Sequence, residues 1–148
     1  MTTAPLIIGL GSPHGDDQAG WRVIDGLLAR GLPPELARTA RTPADVWDWC
    51  GRSSSLTICD ACVDAVSTGE IRHFTWPVDP LPLTHGGTHT LSLAEVLALG
   101  RALNLMPATV EIWTISGSEF APSTPPSAAV LKAAALLAER LAGAFGHA

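Results

Sequence analysis

Positive charge is scarce in this chain. Nine Lys and Arg stand against fourteen Asp and Glu, a net charge of −5, and no basic cluster occurs anywhere. Such a surface offers little to a phosphate backbone or an anionic bilayer, which argues against nucleic acid and membrane surfaces as partners. Long apolar runs are missing too, none approaching the roughly 18 residues that span a bilayer. The N-terminal MTTAPLIIGL has no basic n-region and runs straight into a strand-like segment, so it does not read as a signal peptide. The three cysteines, Cys50, Cys59 and Cys62, are an odd set that cannot pair fully. Free thiols without an export signal point to a reducing cytoplasm.

Further absences narrow the chemistry. Cys59-Asp60-Ala61-Cys62 has C-x-x-C spacing, but no second pair exists to complete a zinc site. A redox centre needs an exposed cysteine at a helix N-terminus, whereas Cys59 should point into a sheet. The motif therefore reads as structural, with Cys62 as an accessory soft ligand at most. There is no G-x-S-x-G, no H-E-x-x-H and no evident Ser/His/Asp spacing. A hydrolase built on this chain would draw its electrophilic assistance from a metal rather than from an activated serine.

What is present is enough apolar material for one domain, residues 1–148. At this length roughly 70% of the unfolded surface is buried on folding, and 47% hydrophobic with 16% charged residues argues against disorder. Periodicity gives a first strand over Pro5 to Leu10 and a glycine-rich turn over Gly11 to Asp16. A helix follows from about Asp17 to Arg30, with Trp21, Ile24, Leu27 and Leu28 on its inner face. Glu35 to Arg41 reads as a weak strand and Thr42 to Gly51 as a short helix. Leu56 to Cys59 is a buried strand ending on Asp60, and Glu70 to Trp76 another. Ser92-Leu93-Ala94-Glu95 has capping-box spacing and starts a helix to about Asn104, with Leu91 and Val96 as its staple. Val110 to Ile115 is the last strand. Pro125 to Phe145 closes the chain as a helix with Val130, Ala134, Leu137 and Leu141 in one stripe.

Alternating strands and helices without repeats or linkers imply an α/β fold. We expect a three-layer α/β/α sandwich on a twisted, mostly parallel sheet of about five strands. Functional residues in such sheets gather outside the carboxyl ends of the strands. Three segments fall there: Gly11 to Asp17, Asp60 to Asp64, and the loop around His85 and His89.

The turn in LIIGLGSPHGDDQAG resembles a phosphate cradle, yet its spacing is G-x-G-x-x-x-G and it ends in Asp16 and Asp17. Like charges at 4 Å cost on the order of 1–4 kcal/mol, so a pyrophosphate is a poor occupant. One acid is accounted for by helix capping, a contribution of about 1 kcal/mol. The second is left for solvent or a cation. Asp60 alone is equally an Asx turn, and His89 alone a packed histidine; His85 is less constrained still. Taken together, two carboxylates and an imidazole from three connections at one edge form an O,O,N set for a divalent metal with open positions.

GLGSPHGDDQAG, then ICDA with Gly69 some residues on, then THTLSLAEVLALGRAL resemble the hydrogenase maturation proteases, over nearly the whole chain from Leu6 to about Leu141. These endopeptidases trim the large subunit of [NiFe] hydrogenases. The resemblance implies that Asp17, Asp60 and His89 bind nickel already installed in the precursor. It also implies that a short C-terminal extension of that precursor is then removed. The nickel comes with the substrate, and no organic cofactor is implied. The expected partner is the [NiFe] hydrogenase large-subunit precursor, and the expected state is a cytoplasmic monomer. Ser12, Gln18, Gly87 and the segment APSTPPS after Phe120 depart from the family pattern, which bears on substrate fit. Two other readings share these residues: a nickel checkpoint protein that binds the loaded precursor without cutting it, and, less well supported, a nucleotide-binding module.

Overall fold

A computed structural model describes residues 5–49, 55–63, 67–82 and 92–145. The strands are β1 (Leu6–Leu10), β2 (Ala37–Ala40), β3 (Leu56–Cys62), β4 (Ile71–Trp76) and β5 (Val110–Ser116). The helices are α1 (Ala19–Ala29), α2 (Leu93–Ala102) and α3 (Ala128–Phe145). Short 3₁₀ segments occupy Gly15–Gln18, Pro34–Leu36 and Pro43–Asp48. The five strands form one sheet in the order β2-β1-β3-β5-β4. All pairings are parallel except β4 with β5.

Strand alternation splits the core into two layers. Ile7, Cys59, Ala61 and Ile115 face α1 and α3, whose Val23, Ile24, Leu27, Val130, Leu137 and Leu141 close that side. Ile8, Leu56, Ile58, Val110 and Ile112 face the other way, onto Leu93 and Leu97 of α2 and Val46 of the 3₁₀ segment. The expected α/β/α layering is what forms. β3 is buried at every position, as a central parallel strand covered on both faces should be.

Local chemistry explains most boundaries. Ser92 and Glu95 make the reciprocal capping-box bonds that start α2, as their spacing predicted. Leu91, the other half of the expected staple, lies outside the described residues. The stripe Val130, Ala134, Leu137 and Leu141 on α3 is buried throughout. Thr42 and Asp45 form a second capping box, but the segment it opens is 3₁₀ rather than α.

Two features of the first helix differ from expectation. Its α portion begins at Ala19, because Gly15–Gln18 winds as a tighter 3₁₀ turn. Its inner face carries Val23 alongside Ile24 and Leu27, while Leu28 is 39% exposed and Trp21 half-buried. Trp21 spends its indole N–H on the carbonyl of Ala40 at the end of β2. The helix lies against the sheet at an unusually close approach: a Cβ on Gly20 would stand 2.2 Å from the carbonyl oxygen of Leu10 and 2.5 Å from that of Cys59. Only glycine lets α1 start so near the ends of β1 and β3.

Candidate functional site

The site grows from the carboxyl ends of β1 and β3. These strands pair in parallel with Gly9 opposite Cys59, so the turn leaving β1 departs beside Asp60. Alternation along β3 puts Asp60 on the α2 side of the sheet, two residues beyond Ile58. Asp17 arrives from the 3₁₀ turn. Both are almost fully buried, at 5% and 4% exposure.

The two carboxyls are close enough for the charge of Asp17 to act on Asp60. Burial, and then the charge of Asp17, hold the Asp60 carboxyl well above the ordinary carboxylate range. Among the described residues the opposing influence is the Ala61 N–H, which donates to Asp60 Oδ1 at 2.8 Å. A buried acid with a like charge acting on it is poised to release its proton to a cation. The same proximity reaches Cys59, whose thiol is pushed far up by burial and by Asp60. Cys59 is inert in the core, as its inward orientation implied.

Asp16 has a different role from its neighbour. It is fully buried and accepts four hydrogen bonds: from the N–H of Ser118 (2.8 Å), of Glu119 (3.0 Å) and of Ser127 (2.6 Å), and from the Ser127 hydroxyl (2.8 Å). Burial opposes its ionisation, but the bonds from Ser127, Glu119 and Ser118 outweigh it and hold the carboxyl below its usual range. The capping expected of one acid at the helix that follows it does not form, since neither the 3₁₀ turn nor α1 has a side-chain cap bond; Asp16 instead accepts from Ser127, just before α3.

His89 and His85 lie outside the described residues, as do Gly86, Gly87 and Cys50. Among the described residues no group of three His, Cys, Asp or Glu is placed to hold a metal ion. Asp17 and Asp60 are the two members of the expected set that the structure brings together. Cys62 is fully buried, with its sulfur 3.4 Å from the Ser116 hydroxyl and 3.9 Å from an Arg72 guanidinium nitrogen.

Two polar neighbours escaped the sequence reading. Thr114 of β5 stands opposite Asp60, and Arg72 of β4 stands opposite Thr114, so the three form a row across the sheet. Thr114 is completely buried. Antiparallel pairing brings the beginning of β4, not its end, to this edge. A pattern such as Ile71-Arg72-His73-Phe74 carries no sign of strand direction, and so gave no hint of it.

No family model and no curated protein matches this chain. Solved structures do. The chain is similar to the hydrogenase maturating endopeptidase HybD from E. coli, with a TM-score of 0.76 and 17% identity over 97% of this chain and 93% of that one. It is similar to the [NiFe] hydrogenase maturation protease HybD from Thermococcus kodakarensis, with a TM-score of 0.73 and 21% identity over 96% and 99% of the two chains. The endopeptidase HycI from Escherichia coli superimposes with a TM-score of 0.75 and 20% identity, covering 95% and 90%. The three-layer α/β/α arrangement of this chain is thus the fold that these solved maturation endopeptidases share.

Proposed function

We propose that this chain is itself a hydrogenase maturation protease. It removes the C-terminal extension of a nickel-loaded [NiFe] hydrogenase large-subunit precursor, and Asp17, Asp60 and His89 grip the nickel that the precursor carries. The observation that carries this reading is the pair of nearly buried carboxylates, of which Asp60 is held protonated above its usual range by burial and, after it, by the charge of Asp17. A divalent cation relieves that repulsion and converts an electrostatic cost into binding energy. The whole-chain likeness to maturation endopeptidases supplies the substrate class.

In the mechanism we favour, the precursor docks with its nickel against Asp17 and Asp60, and His89 completes the contact from the segment before α2. The grip fixes the scissile peptide at the sheet edge. Attack then comes from water activated either by the substrate's metal or by one of the two carboxylates acting as general base. Asp60 suits proton traffic, because burial and the charge of Asp17 raise its affinity for a proton above that of an ordinary carboxylate. The protein contributes position and charge, while the substrate contributes the Lewis acid. No helix among the described residues is long and apolar enough to cross a membrane.

The test is incubation with nickel-loaded and nickel-free precursor, read by intact mass. The expected result is shortening of the loaded form only, abolished by Asp17→Ala and by His89→Ala. A loaded precursor that binds but keeps its full mass would make the protein a checkpoint rather than an endopeptidase. Equal cleavage of both forms would remove nickel from the account.

A further inference from the structure

Asp16 and Asp17 are successive residues of one 3₁₀ turn, Gly15–Gln18. At about three residues per turn, neighbouring side chains diverge by roughly 120°. One carboxylate can therefore face Asp60 while the other faces away, and the position of each dictates that of the other. A four-residue 3₁₀ turn has poor hydrogen-bond geometry and little stability of its own. Something outside must hold it.

The segment between β5 and α3 does so. Besides its four carboxylate bonds, Asp16 donates its own N–H to the carbonyl of Glu119 at 2.6 Å, and Gly15 donates to the carbonyl of Thr124 at 3.0 Å. The Gln18 amide reaches the same Thr124 carbonyl at 3.1 Å, and Ser123 N–H donates to His14 Nδ1 at 3.2 Å. Gly15 sits at φ +56°, where a Cβ would lie 2.2 Å from the Glu119 carbonyl oxygen. The two segments are in direct backbone contact, and the Asp16 carboxylate is the hub that ties the turn to residues 118, 119 and 127.

From this arrangement we infer that Asp16 is a positioning residue: by binding residues 118–119 and the Ser127 start of α3, it fixes the turn that presents Asp17 to Asp60. The inference rests on the proposed role of Asp17 and Asp60 and adds a residue that touches neither nickel nor peptide. An acid used only for stability would lower the melting temperature and leave the folded enzyme's turnover intact. A positioning acid also sets turnover, since a displacement of about 1 Å at a reacting group can cost 100-fold.

The experiment combines kinetics with a positional readout. Asp16→Asn replaces one acceptor oxygen by a donor, which opposes either the Ser127 N–H at Oδ1 or the Ser118 and Glu119 N–H groups at Oδ2. Ser127→Ala removes only the hydroxyl bond, and Ser127→Thr restores it. With nickel-loaded precursor, at a temperature where circular dichroism shows each variant folded, kcat should fall roughly 10- to 100-fold in Asp16→Asn. It should fall severalfold in Ser127→Ala, return in Ser127→Thr, and leave KM nearly unchanged. The side-chain carboxyl ¹³C resonances of Asp17 and Asp60 should shift in step with the loss. If Asp16→Asn fails to fold, the Ser127 pair carries the same comparison. Wild-type kcat with unmoved carboxyl resonances in folded Asp16→Asn and Ser127→Ala would overturn the inference. Wild type that cuts no precursor, with the resonances still moving, would sink the protease reading and leave the positioning role standing.

Discussion

Two stretches of the same sheet edge treat buried carboxylates in opposite ways. At the end that leads into α3, Asp16 meets four donors and is held ionised. At the end of β3, Asp60 is held toward its neutral form by burial and by the charge of Asp17, with one donor among the described residues. Both acids are buried, at 0% and 4% exposure, and burial pushes both carboxyls up. The difference lies in what surrounds them. A satisfied acid is architecture; an acid left in repulsion costs stability and is kept where a ligand repays it.

The largest break in this comparison comes from Asp60→Asn. The variant should lose cleavage of nickel-loaded precursor by about 1,000-fold or more, on the scale of removing one preorganised electrostatic partner. At neutral pH it should also melt higher than wild type by roughly 2–6 °C, since 1 kcal/mol shifts a domain of this size by a few degrees. Calorimetry and intact mass on the same preparation read both. A variant that melts lower and still cuts would dissolve the contrast.

Second in size is Asp16→Ala, which strips the clamp. It leaves the N–H groups of Ser118, Glu119 and Ser127 without their acceptor, and each such loss in a buried place costs about 1–3 kcal/mol. The expected melting temperature falls by several degrees, the reverse of Asp60→Asn. Gly15→Ala should behave alike, since the left-handed backbone there stands against the Glu119 carbonyl.

The pH dependence of stability sharpens the comparison further, because the two acids act with opposite sign. Asp16 is lowered in the folded state, so its contribution is present above the ordinary carboxylate range and is lost as pH falls through its folded value. Asp60 is raised, so the folded protein binds more protons than the unfolded one between the ordinary carboxylate range and Asp60's own value. Stability therefore declines as pH rises through that window. Denaturant titrations across pH should show the decline vanish in Asp60→Asn and the acid-side loss shrink in Asp16→Asn. The smallest expected effect is just beyond the carboxyl end of the edge strand β2: Thr42→Ala breaks the capping box before the 3₁₀ segment and should cost about 1 kcal/mol without changing cleavage.

Where the sequence predicts well, the cause is local. Apolar runs as dense as Leu56–Cys59 force a central strand, and Ser92 with Glu95 announces a helix start through bonds that span three residues. Where it predicts poorly, the cause is distant. Nothing near Asp16 tells it apart from Asp17, since the donors that decide its role come from residues 118, 119 and 127, more than 100 positions away. Leu28 follows Leu27 at an angle of about 100°, enough to turn it off the buried face, which Gly20, Val23, Ile24 and Leu27 already fill. The row of Thr114 and Arg72 beside Asp60 depends on strand order and direction, which only the assembled sheet defines. Asp17 and Asp60 were legible as candidates because short glycine-rich and apolar motifs place them, one turn and one strand end apiece.

The most direct test of the contrast is the titration of the Asp60 side-chain carboxyl, followed by ¹³C NMR in wild type and in Asp17→Asn. Two acids sharing one buried space predict a midpoint well above the ordinary carboxylate range in wild type, falling when the Asp17 charge is removed. A wild-type midpoint in the ordinary range, or one indifferent to Asp17→Asn, would mean that the two carboxylates do not meet.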